Sequence, residues 1–448
     1  MKKIVFLLFL LTFTASTFAQ KWQKLFDGKT LKGWTQKGGE AKYTVEKGQI
    51  VGMTVAKTAN SFLCTEKTYG DFILELELKL DDEMNGGVQF RSLSSPDYQK
   101  GRVHGYQMEV DPSPRAWSGG IYDEGRRDWL YNLNINPVGQ KAFKKLDWNT
   151  YRIEAVGNTM RTFINGVPTA HLIDSMTHNG FIALQVHAIY ANMKEGMKIR
   201  WKNIRIQTEN LQPSPVDDCP VINYLHNNVS QQEQAQGFKL LFNGRDLAGW
   251  RNVHSITPPD KRWAVRDEVM NVGSSDGSET GNDIVSTEQY GAFELVFDFK
   301  ISEGANSGIK YFVNEAFDAG GKSGIGLEYQ ILDDEKNPDA KQGVVGNRTL
   351  ASLYDLIPST KPDSRFKRKV GDWNQGRIVV LPNNTVQHWL NGFKVVEYER
   401  KSNIYNALVA RSKYAKYEGF GATDKGQILL QDHGNEVFYR NIKIRELK

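Results

Sequence analysis

The feature that most constrains this chain is an internal duplication. Residues 24–34, KLFDGKTLKGW, return as residues 239–250, KLLFNGRDLAGW, so Trp250 lies 250 − 34 = 216 positions after Trp34. A period this long indicates two tandem copies of one domain rather than a solenoid of repeats of about 20–50 residues. Five further motifs recur in the same order, at offsets up to 433 − 187 = 246: 85–91 with 306–312, 147–149 with 372–374, 164–166 with 390–392, 183–187 with 429–433, and 202–206 with 440–444.

The motifs also predict the domain boundaries. Copy 1 is expected to span residues 20–208 and copy 2 residues 237–448. The intervening residues 209–236 contain Pro213, Pro215 and Pro220 and a glutamine-rich run, a composition typical of a linker.

The N-terminus has the three parts of a secretory signal peptide. Lys2 and Lys3 precede an apolar run at residues 4–11, and small residues end the segment at Ala19. The run is too short for a lasting transmembrane helix. We therefore expect residues 1–19 to be removed and the protein to be periplasmic or secreted, without stable membrane insertion.

Charge and cysteine content exclude several classes of protein. The 57 basic and 52 acidic residues give a net charge of only +5, too even to indicate nucleic acid or an anionic membrane as a partner. Two cysteines, Cys64 and Cys219, are too few for a disulfide framework or a thiolate zinc cluster. Whether the two pair is left open, and Cys64 is expected to be a buried thiol.

Within each copy the dominant hydrophobic period is two. Residues 72–80, FILELELKL, and residues 293–301, FELVFDFKI, alternate apolar and charged side chains over their second halves. Asn165-Gly166 and Asn391-Gly392 are typical of two-residue hairpin turns. Short strands, many turns and little helical periodicity predict an all-β chain with one antiparallel β-sandwich in each copy.

Alternation also predicts which polar side chains share a sheet face. An exposed face can be polar for solubility alone, but these residue types recur in both copies. The copy 1 set is Gln89, Arg91, Gln107, Glu109, Asp111, Gln185 and His187, and the copy 2 set is Lys310, Glu328, Gln330, Gln431 and His433.

Other candidate residues have less definite signals. Tyr122 and Tyr354 fit either the core or a sugar-binding surface. Residues 410–417, ARSKYAKY, occur only in copy 2 and are expected to form a loop at the mouth of its site. The eight histidines show no metal-ligand spacing, so no metal ligand is predicted, and a divalent metal cofactor is left open.

In order, the motifs resemble the 3-keto-disaccharide hydrolase domain family over both copies. The residues that carry the resemblance include Leu-Phe-Asp-Gly-x-x-Leu-x-Gly-Trp, Asn-Ser-Gly-Ile, Glu-Tyr-Gln-Ile-Leu-Asp and Leu-Gln-Asp-His-Gly. The resemblance implies a concanavalin A-like jelly-roll sandwich and cleavage of glycosides whose sugar is oxidised at C3. Copy 1 departs from the family with Gln185-Val-His187, and copy 2 has Phe312 in place of Arg91. Which copy is active stays open.

Cleavage of a 3-keto-glycoside requires a base at C2, a cation or donor at the C3 oxygen and an acid for the leaving oxygen. The resemblance implies that His187 or Glu109 is the base or acid in copy 1, where Arg91 stabilises the enolate. It implies that His433 or Glu328 is the base or acid in copy 2, where Lys310 is the electrophile. The expected sugar-binding residues are Gln89, Gln107, Asp111, Tyr122, Gln185, Gln330, Tyr354 and Gln431. Net hydrolysis and lyase activity are both open.

Two other functions remain. One is a carbohydrate-binding module without catalysis, which the same fold supports. The other is an endo-glucanase, because Glu109 and Asp111 stand two residues apart on one strand, as in sandwich glycosidases. Copy 2 has Gln330 in place of one of these carboxylates, which disfavours the second alternative.

Overall fold

The structure is a computed structural model, and it describes residues 21–190, 193–259, 262–275, 282–317, 323–360 and 368–448. The predicted signal peptide, residues 1–19, lies outside the described residues. Within the described ranges, no helix combines the length and the apolar character needed to cross a membrane.

The described residues of copy 1 form short antiparallel strands, a 3-10 helix (Leu133–Ile135) and a short α-helix, α1 (Pro137–Gln140). The strands are β1 (Gln23–Lys24), β2 (Trp34–Gly38), β3 (Lys42–Glu46), β4 (Gln49–Met53), β5 (Ser61–Thr65), β6 (Phe72–Leu80), β7 (Gly86–Leu93), β8 (His104–Val110), β9 (Ile121–Glu124), β10 (Asp128–Tyr131), β11 (Asn149–Val156), β12 (Thr159–Ile164), β13 (Val167–Ile173), β14 (Phe181–Val186) and β15 (Lys198–Gln207).

Residues 209–236 contain a strand and a helix. Strand β16 (Val221–Asn223) pairs in parallel with β13. Helix α2 (Gln231–Ala235) begins with a capping box, in which Ser230 and Glu233 satisfy each other's backbone N–H groups. The Glu233 carboxylate forms a buried ion pair with Lys443 of copy 2. The segment between the copies is therefore hydrogen-bonded to both of them.

Copy 2 repeats most of this strand arrangement, but its described residues contain no counterparts of β9 and β10, and it adds helix α3 (Asn403–Ala410). Its strands are β17 (Lys239–Leu240), β18 (Trp250–Asn252), β19 (Trp263–Arg266), β20 (Val269–Val272), β21 (Ile284–Tyr290), β22 (Phe293–Ile301), β23 (Asn306–Val313), β24 (Leu327–Leu332), β25 (Asn374–Val380), β26 (Thr385–Leu390), β27 (Phe393–Glu399), β28 (Gly426–Leu430) and β29 (Val437–Glu446).

Two sheets face each other in each copy. In copy 1 one sheet has the order β16-β13-β12-β11-β6-β15-β4-β3, with β1 paired to β15, and the other has the order β10-β9-β8-β7-β14-β5-β2. In copy 2 the orders are β19-β20-β29-β22-β25-β26-β27, with β17 paired to β29, and β18-β21-β28-β23-β24. The predicted all-β class, with two jelly-roll β-sandwiches in tandem, is confirmed.

The alternation seen in the sequence explains how each sandwich closes. In β6 the apolar positions 72, 74, 76, 78 and 80 are buried, whereas Glu75, Glu77 and Lys79 are half-exposed. Each large apolar side chain that is fully buried contributes about 1.5–3 kcal/mol. Packing the apolar faces of the two sheets together leaves the polar face of the β7-β8-β9 sheet free to carry a site.

Both thiols are free and buried. Burial raises the pKa of Cys64 and of Cys219 to about 12. The expectation that Cys64 is a buried thiol is confirmed, and the two cysteines do not pair.

Candidate active site

Copy 1 has an open pocket of about 560 Å³ on the outer face of its seven-stranded sheet. This volume lies within the range of about 300–1,000 Å³ that small-molecule sites occupy. The pocket is lined by Asn60, Met84, Asn85, Arg102, Gln107, Glu109, Asp111, Ser113, Arg115, Tyr122, Glu124, Trp129, His187, Ala188, Ile189, Tyr190 and Met193. The structure thus brings together Gln107, Glu109, Asp111, Tyr122 and His187 of the predicted set.

Glu109, on β8, is the buried carboxyl of this pocket, and only 5% of its surface is exposed. Asn85 donates a hydrogen bond to Oε1 at 2.7 Å, and Gln107 donates one to Oε2 at 2.9 Å. Burial raises the pKa of Glu109 to about 7, because the two amide donors only partly replace the lost water. The group can therefore take up or release a proton near neutral pH.

A relay of side-chain amides orients this carboxyl. Ser92 Oγ donates to Gln89 Oε1 at 2.6 Å, and Gln89 Nε2 donates to Gln107 Oε1 at 2.7 Å. Gln107 is thereby left with its Nε2 directed at Glu109. A Cβ on Gly87 would lie 2.4 Å from the Gln107 amide carbon, so glycine at this position makes room for the relay. Gln89 does not line the pocket; it supports Gln107.

His187 follows β14 at the edge of the pocket. Its Nδ1 lies 2.6 Å from the carbonyl oxygen of Ala188, and because a carbonyl can only accept, Nδ1 carries the hydrogen. The other ring nitrogen, Nε2, is then the one left free to contact a ligand. The pKa of the neighbouring Glu124 is raised by burial, and the positive charges of Arg102 and His187 oppose this rise. Gln185, predicted to bind sugar, instead donates to Glu124 at 3.5 Å.

The opposite wall is cationic and aromatic. Arg115 pairs with Asp111 at 2.9 Å, and its guanidinium lies 4.5 Å from the ring centre of Trp117 and 5.4 Å from that of Trp129. Tyr122 packs edge-on against Trp129 and donates to Asp128 at 2.7 Å. These contacts fix the pocket-lining side chains of Arg115, Tyr122 and Trp129.

Arg91 is not in this pocket. Its guanidinium is fully buried and bonds Gly70 O at 2.9 Å, Gly157 O at 2.7 Å and Asp71 at 2.9 Å. Regular alternation along the strand predicts Arg91 on the same face as Gln89, and this prediction is wrong. Arg91 instead has φ +45° at a bulge in β7, which breaks the alternation. Phe312 of copy 2 sits at the same bulge with φ +52°.

Copy 2 has a smaller pocket of about 210 Å³, lined by Lys310, Gly324, Ile325, Gly326, Glu328, Lys413, Tyr414, Lys416, Tyr417 and Gln431. The Lys310 ammonium donates to Gly324 O at 2.9 Å and lies 3.6 Å from the Asp283 carboxylate. Burial raises the pKa of Glu328, and the positive charges of Lys310 and Lys413 oppose this rise. Lys310, Glu328 and Gln431 of the predicted set are brought together here.

Three residues predicted for the copy 2 site do not line its pocket. His433 is exposed beyond the end of β28, and Gln330 bonds the backbone N–H of its own neighbour, Ile331. Tyr354 donates to Asp339 at 2.7 Å and lies under the Lys413 ammonium, 4.1 Å away. The copy 2-specific residues 410–417 do line the pocket, as expected, through a short 3-10 helix, Lys413–Lys416, rather than an irregular loop.

Several residues that line the copy 1 pocket were not predicted from the sequence. Glu124 lies two residues after Tyr122 on β9, so period-two alternation could have found it. Asn85 belongs to a recurring motif and could have been found by comparing the copies. Arg102, Arg115 and Trp129 reach the pocket from loops and from β10, where no local pattern marks them.

Among the described residues, no group of three or more histidine, cysteine, aspartate or glutamate side chains is arranged to hold a metal ion.

Copy 1 is thus a β-sandwich with an open pocket on one sheet face, lined by amides, arginines, aromatic rings and a carboxyl of raised pKa, which are features typical of a small-molecule site. A model of the 3-keto-alpha-glucoside-1,2-lyase-like domain matches residues 21–207 and again residues 237–445. The chain belongs to this family, with two copies of its domain.

The chain is also similar to individual proteins and solved structures. A 3-keto-disaccharide hydrolase of Bacteroides thetaiotaomicron is 33% identical over 235 residues, which cover 48% of this chain and 79% of that protein. A solved structure from Parabacteroides distasonis, whose glycosyl hydrolase assignment is itself a proposal, is 28% identical over 50% of this chain and 100% of its own, with a TM-score of 0.44. A carbohydrate-binding module from Bacillus subtilis is 17% identical, covering 39% and 95% of the two chains, with a TM-score of 0.27.

Proposed function

We propose that the protein cleaves 3-keto-glycosides in the copy 1 pocket by removing the C2 proton and eliminating the group on C1. The C3 ketone acidifies the C2 proton because the resulting anion is an enolate. Collapse of the enolate breaks the C1–oxygen bond and leaves a C1–C2 double bond. Water then adds its oxygen to C1 and a proton to C2, so the net reaction is hydrolysis.

The observation that carries this proposal is the state of Glu109. A buried carboxyl with a pKa of about 7, held by Asn85 and Gln107 at the base of an open pocket, is suited to accept a proton from carbon near neutral pH. We assign Glu109 as the base at C2. A surface carboxylate of ordinary pKa would be a weaker base.

His187 and Arg115 supply the other two requirements. His187 exchanges a proton at Nε2, since Nδ1 is engaged with Ala188, and we assign it as the acid for the leaving oxygen. Arg115, fixed by Asp111 and stacked against Trp117 and Trp129, is assigned to the C3 oxygen, where it would stabilise the enolate charge. This assignment replaces Arg91, which is fully buried and does not line the pocket.

The elimination is tested by running the reaction in D₂O with a 3-keto-α-glucoside disaccharide. Elimination followed by hydration takes the new C2 proton from solvent, so the 3-keto-glucose product should carry deuterium at C2. Direct displacement at C1 by water leaves the original C2 hydrogen in place. The deuterium that appears at C2 of substrate incubated in D₂O with the Glu109→Gln variant gives the background level of exchange. Product without deuterium above that background contradicts the proposed chemistry.

An ordinary glycosidase is the second candidate, because Glu109, Asp111 and Glu124 all line the same pocket. Asp111 is already paired with Arg115, and the pKa of Glu109 is too high for a carboxylate nucleophile that must stay ionised. Cleavage of an unoxidised disaccharide would favour this alternative. Export to the periplasm or the medium, expected from residues 1–19, is part of the proposal.

A further inference from the structure

The floor of the copy 2 pocket has hydrogen-bond acceptors without donors. Glu328 is 4% exposed, and its carboxylate has no hydrogen-bond partner in the part of the chain that the structure describes. Gln431, beside it, has a buried Oε1 that is likewise unpartnered. By contrast, Glu109 of copy 1 receives two amide hydrogen bonds. An unpartnered buried acceptor such as Gln431 Oε1 is costly, and the Glu328 carboxylate beside it is available to accept hydrogen bonds. This floor is therefore suited to a ligand that brings hydroxyl donors.

The rim of the same pocket is cationic. Lys413 and Lys416 both line it, and their ammonium groups lie 4.1 Å from the ring centre of Tyr354 and 5.0 Å from that of Tyr417. Among the described residues, no carboxylate lies within 4.0 Å of either ammonium. The third lysine, Lys310, is deeper and is balanced by Asp283. The rim therefore has two cations available to a ligand.

The described residues of copy 1 form no equivalent rim. Its two pocket arginines are paired, Arg102 with Glu124 at 3.4 Å and Arg115 with Asp111 at 2.9 Å. The rim lysines of copy 2 come from residues 410–417, which have no counterpart in copy 1. The two pockets thus differ both in volume and in available charge, although they occupy corresponding sheet faces.

We infer that the copy 2 pocket is a separate binding site for one acidic sugar unit, such as a uronate. Sugar hydroxyls would donate to Glu328 and to Gln431 Oε1, while the carboxylate of the sugar would lie between Lys413 and Lys416. A volume of about 210 Å³ suits one ring rather than an extended oligosaccharide. This site is independent of cleavage in copy 1.

The test is calorimetric titration of the full chain with three probes: glucuronate, glucose and acetate. Glucuronate should bind at least about tenfold more tightly than either other probe, because only it has both the hydroxyls and the charge. Raising the salt concentration should weaken glucuronate binding and leave glucose binding nearly unchanged.

Two double variants locate the site. Lys413→Met with Lys416→Met should reduce glucuronate affinity to that of glucose, whereas Lys394→Met with Lys401→Met, two surface lysines outside the pocket, should leave it unchanged. Each variant should still cleave a 3-keto-disaccharide. Equal affinity for all three probes, no measurable glucuronate binding, or glucuronate binding that survives loss of Lys413 and Lys416 would overturn the inference.

Discussion

Gln107 Nε2 donates a hydrogen bond to the Glu109 carboxylate at 2.9 Å, and both side chains project from the same face of β8. Gln89 Nε2 donates to the Oε1 atom of the same Gln107 amide at 2.7 Å, and this hydrogen bond fixes the orientation of the amide. A donor fixed in this way favours the ionised form of the carboxyl and opposes the effect of burial on its pKa. The basicity of Glu109 is therefore set by its neighbour as well as by its own surroundings.

The first prediction is a pH profile. If Glu109 is the base, only its ionised form is active, so kcat/KM should rise as the pH passes through about 7. Gln107→Leu removes a donor to that ionised form, raises the pKa of Glu109 and should move the rise to higher pH by about one unit. A profile that stays in place in this variant would show that Gln107 does not position the base.

The second prediction concerns stability. The pKa of Glu109 is raised from 4.5 to about 7 in the folded state. Between those values the folded protein holds a proton that the unfolded chain has released, so stability falls as the pH rises through this window. Glu109→Gln should therefore gain up to about 3 kcal/mol in unfolding free energy over wild type at about pH 8, and little at about pH 4.

Urea unfolding of both proteins at the two pH values measures this difference. Asp27→Asn gives a comparison of opposite sign, because hydrogen bonds from Thr30 and Lys29 lower the pKa of that exposed carboxyl to about 2. If the Glu109→Gln variant were less stable than wild type by the same amount at both pH values, the raised pKa would be contradicted.

The third prediction separates the two histidines. His187 lines the copy 1 pocket, whereas His433 is exposed and lies outside the copy 2 pocket. His187→Ala should lower kcat on a 3-keto-disaccharide by about 100-fold or more, and His433→Ala should leave kcat within about twofold of wild type. Steady-state kinetics of the two variants, side by side, provide the measurement. The reverse pattern would place the chemistry in copy 2.

The fourth prediction concerns Arg91. Its guanidinium satisfies the carbonyls of Gly70 and Gly157 within the fold and does not reach the pocket. Arg91→Met should lower the unfolding free energy by about 3 kcal/mol, since it strands two buried acceptors, but should preserve kcat per folded molecule. Thermal unfolding and active-site-normalised kinetics at low temperature check both parts. A fall in kcat without loss of stability would restore the catalytic role expected from the sequence.

Sequence patterns predicted the fold and part of the site because both rest on local periodicity. Alternation along β8 placed Gln107, Glu109 and Asp111 on one face, and the structure keeps them there. The same assumption of regular alternation misplaced Arg91, because the pattern of side chains does not predict the bulge with positive φ at this residue. It also extended β28 to His433, whereas that strand ends at Leu430.

Residues that reach the pocket from loops could not be predicted from hydrophobic periodicity. Arg115 gains its position from Asp111, Trp117 and Trp129, which are close in space and follow no shared period in the sequence. Burial is similarly a property of the packed sheets, so the raised pKa of Glu109 could not be derived from the residue types alone.

The central claim is that copy 1 cleaves glycosides only after oxidation at C3, with Glu109 as the base. The most direct measurement is product analysis after incubating wild type and Glu109→Gln with a 3-keto-α-glucoside disaccharide and with its unoxidised parent. We expect wild type to release 3-keto-glucose from the first and nothing from the second, and Glu109→Gln to release little from either. Cleavage of the parent disaccharide, or full activity of Glu109→Gln on the oxidised one, would contradict the claim.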